Sequence, residues 1–236
     1  GGTDSSGDGS GDSTDNNENE NGETIEDFPD GFSEDGISDF ETAFGEGSAY
    51  FSQPHIQIEN EFAQMSEDRD VSETFSAQVD AEAERWLVDS ETDSGEILRT
   101  QYLAEGMLYV REVQGEEDPQ YQVRESEFSK SASFLVGAIE RHVAGEVEFE
   151  SEQTEEGLIR YTATEDSYPE DHPITNVYSF NQEPMLDVVL EIDENGLPQR
   201  LSATYENEGF SQESTYSFSY EEITVEEPEW VSEAES

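Results

Sequence analysis

Residues 71–83 read VSETFSAQVDAEA, and Val71, Phe75, Ala77, Val79, Ala81 and Ala83 all fall on one side of a two-residue period. Such alternation marks a β-strand with one face buried and one in water. The segment just before it, HIQIENEF at 55–62, places Ile56, Ile58 and Phe62 on one side in the same way. Near Arg85 the phase slips and Trp86 and Val88 become the apolar positions, which reads as a bulge or as the end of the strand. Beyond the DSETDSGE turn come ILRTQYLA and MLYVREV, joined at Glu105 and Gly106 as a tight hairpin.

The pattern then continues to the end of the chain. EVEFE, GLIRYTAT, TNVYSF, MLDVVLEID, LPQRLSATYE and STYSFSYEEITV all read as strands. The link IDENGLPQ sets Asn195 and Gly196 at a turn, and Pro198 after it suits a strand's first residue or an edge. Two stretches break the period. In DFPDGFSEDGISDFETAFGEG, Ser33 is a candidate N-cap, and Ile37, Phe40 and Phe44 recur at helical spacing before Gly45. In SKSASFLVGAIERHVAG, the residues Phe134, Leu135, Ala138, Ile139 and Val143 form a helical stripe that stops at Gly145. About nine strands with two helices predict an α+β fold: one long curved antiparallel sheet, a half-open β-barrel closed by the two helices.

Ahead of this domain, at residues 28–236, lies a stretch of another kind. Residues 1–27 open GGTDSSGDGSGDSTDNNENENGE and offer almost nothing to bury. This is a disordered acidic tail, whose flexible coil reaches roughly 28 Å on average and further under self-repulsion. The whole chain carries 61 acidic against 9 basic residues, a formal net charge of -52, and Lys130 is its only lysine. Such repulsion destabilises a compact state in dilute buffer. At molar salt the Debye length falls to roughly 3 Å and the repulsion fades, so the composition reads as adaptation to saturated brine. The same charge excludes nucleic acid and anionic membrane surfaces as partners, since no basic cluster counters it.

There is no cysteine, hence no disulfide or thiolate chemistry, and no 18-residue apolar run. The start does not read as a signal peptide. A long polar spacer suits the mature part of a lipoprotein, whose anchoring lipidated cysteine lies outside this sequence, better than a cytosolic protein. The expected location is extracellular, on the outer face of the cell membrane.

The order of helix, long strands, mid-chain helix and further strands resembles the LolA/LppX-like fold of envelope lipoprotein carriers. FPDGFSEDGISDFETA, VVLEIDENGLPQRLSATYE and ITVEEPEWVSEA are similar to an uncharacterised group of secreted haloarchaeal lipoproteins thought to share that fold. The resemblance covers about residues 28–234. It brings no catalytic residue, and it implies binding of an apolar ligand, of which a lipid is one kind, between sheet and helices.

The residues themselves support no enzyme. There is no G-x-S-x-G, and GEGSAY lacks the following glycine. His55, His142 and His172 are far apart without zinc spacing, so each reads as a surface or helix-end imidazole. Asp8, Asp12 and Asp15 miss the EF-hand spacing, as does DGFSEDGISDFE with Phe32 at its third position. No cofactor or specific metal site is expected, only weak cation binding. The candidate ligand-binding residues are Ile56, Ile58, Phe62, Phe75, Ala77, Val79 and Ala81, the small ones leaving room for an apolar molecule. The alternative is a surface interaction or envelope-structural domain whose barrel is filled by Phe40, Phe44, Phe134 and Ile139. Trp230 reads as a clasp fixing the chain end to the barrel rim. The chain is expected to be a monomer.

Overall fold

The alternating segment lies in the middle of an antiparallel sheet of eleven strands. The computed structural model describes Ile25 and residues 27–67, 70–93, 97–130, 133–177 and 185–236. Residues 1–24 and 26 of the acidic tail, residues 94–96 of the expected turn, residues 178–180 of the expected TNVYSF strand and the Phe134 side chain lie outside the described residues. The elements begin with a two-residue pair, β1 (Phe32–Ser33) and β2 (Gly36–Ile37), then α1 (Phe40–Phe44). Six strands follow: β3 (His55–Ser66), β4 (Asp70–Asp80), β5 (Arg85–Thr92), β6 (Ile97–Ala104), β7 (Met107–Gln114) and β8 (Gln120–Glu125). After α2 (Ser133–Val143) come β9 (Glu150–Gln153), β10 (Ile159–Thr164) and the single turn α3 (Ile174–Val177). Then β11 (Met185–Ile192), β12 (Pro198–Asn207), β13 (Phe210–Ser219) and α4 (Val231–Ala234) complete the chain.

The spatial order β8-β7-β6-β5-β4-β3-β13-β12-β11-β10-β9 shows two meanders joined where β13 pairs with β3. The sheet is open, with β8 and β9 at its edges. Ten inter-strand steps of about 4.8 Å separate those edges along the sheet. The chain leaving β8 must therefore cross the whole sheet to start β9, and it lays α2 on one face as it goes. That inner face holds Ile56, Ile58, Ala77, Val79, Val88 and Leu103 from one meander and Phe218, Leu201, Leu190 and Tyr161 from the other, in one cluster with Leu135, Ile139 and Val143 of α2. Phe32, Phe44 and Tyr50 of the N-terminal segment join the same cluster, and Ile25 packs against it. Architecture and class agree with the sequence expectation: an α+β half-barrel, not closed, with few helices.

The outer face has a smaller core. Tyr102, Ala104, Val225 and Val231 are buried together there, with Leu87, Tyr109, Ile223 and Trp230 packed on them. The last residues thus run back over the strands β5 to β8. Trp230 stacks on Tyr121 of the edge strand, ring centroids 6.2 Å apart, and Tyr121 and Tyr109 donate to Glu233 and Glu235. This is the clasp the sequence suggested, placed on the β8 edge.

Several expectations need correction. Ser33 pairs in β1, and the helix starts later, capped by Asp39, whose carboxylate accepts from the Thr42 amide at 3.1 Å. Ala81 and Ala83 are not in a strand. The register of β4 ends at Asp80 paired with Arg85, so residues 81–84 form the turn, with Glu84 at φ 54. The phase slip was therefore a strand end followed by a new strand, β5. Residues 175–177 of TNVYSF sit in the helical turn α3. STYSFSYEEITV ends its strand at Ser219; Tyr220 still packs on the inner core, and Ile223 and Val225 belong to the outer-face segment. The Glu105–Gly106 turn is confirmed: φ values of 54 and 76 give the paired left-handed conformation of a two-residue hairpin.

Candidate functional site

Register alone shows how the inner face changes character. One row of directly paired residues runs from Tyr161 through Leu190, Leu201 and Tyr216 to Asn60, Phe75, Ser90 and Arg99. Its β10 side is apolar, and its β6 side is polar. Burial also grades along the strands. In β3, Ile56, Ile58 and Asn60 are buried, whereas Phe62, Gln64 and Ser66 are only half-buried. In β4 the buried inner-face residues are Ala77 and Val79, near the strand's end. The end nearest the β4–β5 turn is close-packed, and the opposite end opens.

At this transition lies a cleft of about 400 Å³ between sheet and helix. Its floor is Tyr216, Asn60, Phe75 and Ser90, consecutive members of the row. Glu73 and Thr74 stand beside them, and α2 forms the other wall with Gly137, Ala138 and Arg141. A volume of this size, with mixed apolar walls and a few polar groups, is within the range of small-molecule sites. Gly137 is the notable wall residue. A Cβ built there would meet nothing within 4 Å, so packing does not require glycine. Glycine inside a helix costs about 1 kcal/mol relative to alanine. What its missing side chain achieves is an open cleft.

Asn60 supplies the central polar group. It is 8% exposed, and its Nδ2 donates to Ser214 Oγ at 3.0 Å and to the Thr215 carbonyl at 3.1 Å. Among the described residues its Oδ1 receives no protein donor, and the Tyr216 hydroxyl, the Arg141 guanidinium and the Glu73 carboxylate form no hydrogen bond or ion pair. Four polar side chains thus converge on the cleft with bonding capacity to spare.

The seven candidate residues separate under this geometry. The pairs Ile56–Val79 and Ile58–Ala77 put these four on one face, each at most 2% exposed, beneath α2 in the close-packed core. Phe75 reaches the cleft, and Phe62 is half-buried one row nearer the open end. Ala81 lies in the turn, off the sheet face, with its amide bonded to the Pro54 carbonyl. Asn60 and Gly137 were not singled out from sequence. The available signals were a polar residue at an inner-face position of an apolar strand and a glycine inside a helical stripe.

The helix forming one wall is held at both ends. Tyr50 donates to the Leu135 carbonyl at 2.6 Å, and Lys130 donates to the Phe51 and Gln53 carbonyls at 2.6 and 2.9 Å. At the C-terminus, where helix carbonyls lack amide partners, Tyr168 donates to the His142 carbonyl and His172 Nε2 donates to that of Ala144. His172 Nδ1 accepts from the Ile174 amide, so its two ring nitrogens play opposite roles, Nε2 donating and Nδ1 accepting. His142 and His172 are therefore buried residues of a helix end, not surface ones. The third histidine, His55, sits 3.9 Å from the Asp80 carboxylate.

Burial pushes the His142 imidazole down to about 4, with the Ala138 carbonyl it bonds acting the other way and Arg141 and His172 adding to the depression. In the unfolded chain it titrates near its ordinary value, so between that value and about 4 the unfolded state binds more protons. Stability from this group is present above pH 6.5 and is lost as pH falls towards 4, by up to about 3 kcal/mol. The difference in unfolding free energy between wild type and His142→Gln, followed in molar KCl, is expected to shrink over that window. A constant difference from pH 7.5 to pH 4.5 would show that His142 is not buried neutral.

A further depression near the open end is lined by Glu61, Asp93 and Glu213 with Ser72 and Thr215, and Phe62 and Glu73 border it too. Among the described residues, no group of three or more histidine or acidic side chains is arranged to hold a metal ion. None of the described helices is long and apolar enough to cross a membrane.

No family model matches the chain, and neither does any curated protein. Among solved structures, it is similar to a LolA superfamily protein of Nitrosomonas europaea, at 12% identity and a TM-score of 0.28 over 74% of this chain and 89% of that one. A DUF1329 family protein of Desulfovibrio piger matches at 11% identity and a TM-score of 0.24 over 75% and 89%. The ywiB protein of Bacillus subtilis matches at 13% identity and a TM-score of 0.20 over 72% and 94%. These are loose superpositions, and the half-barrel is defined by its own strand order.

Proposed function

We propose that this protein is a binding domain for a small amphiphilic molecule, held in the cleft between α2 and the inner face of the sheet. The observation that carries the reading is the cleft of about 400 Å³ beside a helix glycine that packing does not require. The apolar surface of Phe75 and Ala138 receives the ligand's apolar part, and the convergent polar groups orient it. The ligand need not penetrate the half-barrel as far as Ile56 and Val79, because that end is filled. No catalytic role is assigned, since the buried imidazoles of His142 and His172 bond to backbone carbonyls around α2. We further propose that the domain works outside the cell, in brine, as a haloarchaeal-type surface lipoprotein, with the residues ahead of Ile25, which itself packs on the core, as spacer to a lipid anchor. The charge of -52 and the composition of that stretch support this placement.

The competing reading, an interaction or structural domain without ligand, is favoured by the close packing around Ile56, Ile58, Ala77 and Val79. One substitution separates the two. Gly137→Trp puts an indole into the cleft from a position where the backbone leaves space, and it replaces the poorest helix former short of proline. The expected result is that wild type takes up Nile red in molar KCl, while the variant does not and melts no lower. A wild type that takes up no probe leaves the structural reading standing.

A further inference from the structure

We infer that the ligand is a neutral amphiphile whose head carries hydroxyl groups, and that Asn60, Glu73 and Arg141 select it over fatty-acid anions and over cations. This rests on the binding reading above and specifies its ligand class. The selection follows from what each polar group in the cleft still lacks. Asn60 is more than nine-tenths buried and has used its amide hydrogens on β13, so what remains is Oδ1, an acceptor that is not fully sealed from solvent and is therefore available to the cleft. At the exposed mouth of the cleft, Glu73 is a second acceptor, carrying a negative charge, and Arg141 is a donor carrying a positive one. Glu73 and Arg141 line the same cleft without forming an ion pair.

Each ligand class meets this set differently. A carboxylate head pairs with Arg141, but it offers no proton to Asn60 Oδ1 and stands against Glu73 as a like charge. An ammonium head reverses the conflict, meeting Arg141 as the like charge. A purely apolar ligand seals Asn60 Oδ1 away from water with no donor, the costliest state for a buried polar atom. A head with two or more hydroxyls donates to Asn60 and to Glu73 and accepts from Arg141, leaving no group unpaired. The Tyr216 hydroxyl can give or take a further bond. The apolar part of the molecule then rests on the Phe75 ring and on Ala138.

The test is displacement of Nile red from the full chain in molar KCl by three ten-carbon ligands: 1-decanoylglycerol, decanoate and decyltrimethylammonium. The glycerol ester is expected to displace the probe at a concentration about tenfold lower than either ion, the margin set by hydrogen bonds to charged and buried groups. Glu73→Gln keeps an acceptor and removes the charge. Because Glu73 is exposed and molar KCl screens it, the variant is expected to tighten decanoate by only about threefold while leaving the ester unchanged. Asn60→Leu is expected to weaken the ester about tenfold; because Asn60 also ties β3 to β13, Glu73→Gln carries the test if that variant fails to fold. An ion that competes as well as the ester, or decanoate unmoved by Glu73→Gln, overturns the inference while binding itself stands. Probe bound but displaced by none of the three does the same, whereas no probe binding removes the binding reading as well.

Discussion

In molar KCl the chain is expected to give a β-rich circular dichroism spectrum, and on dialysis to millimolar salt that spectrum is expected to collapse to that of a largely unfolded chain. With nine basic residues, even perfect one-to-one pairing leaves 52 carboxylates unpartnered. The structure uses its few cations sparingly for pairing. Arg160 bridges Glu152 and Glu191 at 2.8 Å each, while Lys130 spends its ammonium on backbone carbonyls. The remaining charge repels over a Debye length of roughly 30 Å at 0.01 M, longer than the separation of many carboxylates on one domain, and of roughly 3 Å at 1 M. Against a net stability of about 5–15 kcal/mol, repulsion on that scale decides whether the fold exists. The measurement is the spectrum together with the melting temperature across a KCl series. A melting temperature that is flat from millimolar to molar salt would remove both the brine adaptation and the extracellular placement built on it.

How far the fold was legible in the sequence depended on whether a single face was buried. β6 and β7 were read at nearly their true bounds because their alternation is bounded by Glu105–Gly106, whose turn chemistry adds a second, independent signal. β8, QYQVRE, was missed because neither of its faces is buried, and with no burial there is no period to find. Leu87, Tyr102 and Tyr109 face outward and yet are apolar, because the C-terminal segment covers them, and no local pattern announces such long-range cover. The first helix was begun too early because Ile37, Phe40 and Phe44 fit a helical spacing that the β1–β2 hairpin shares by coincidence. For the site, apolar periodicity led to the close-packed end of the inner face. The cleft lies where the period weakens, at Asn60, and where a helix carries a residue with no side chain, at Gly137. A reading that looks for apolar residues finds cores. A binding site with polar orienting groups is written as exceptions to that pattern.

The largest single-residue effect on the packed end is expected from Tyr50→Ala. Tyr50 is fully buried. Its ring meets Phe44, Phe218 and Tyr220 edge-on, with centroids 6.2, 6.4 and 6.3 Å away, so it joins the N-terminal segment to β13. Burial raises its hydroxyl above the ordinary tyrosine value, and that hydroxyl bonds to the Leu135 carbonyl at 2.6 Å, two residues before Gly137. Truncation removes a buried aromatic side chain and leaves a cavity, at a cost of about 3–5 kcal/mol. Tyr50→Phe removes only the hydrogen bond, and since the Leu135 carbonyl remains in a helix, that cost is about 1 kcal/mol. Urea unfolding in molar KCl distinguishes the two through the shift of the midpoint at constant slope. If Tyr50→Ala costs no more than Tyr50→Phe, the ring does not pack, and the N-terminal segment does not close this end of the half-barrel. If the ordering holds, both variants also report on the cleft: releasing the helix near Leu135 loosens the wall that carries Gly137, Ala138 and Arg141. Probe uptake is then expected to fall with Tyr50→Phe, while the unfolding midpoint falls by no more than the about 1 kcal/mol of the lost hydrogen bond.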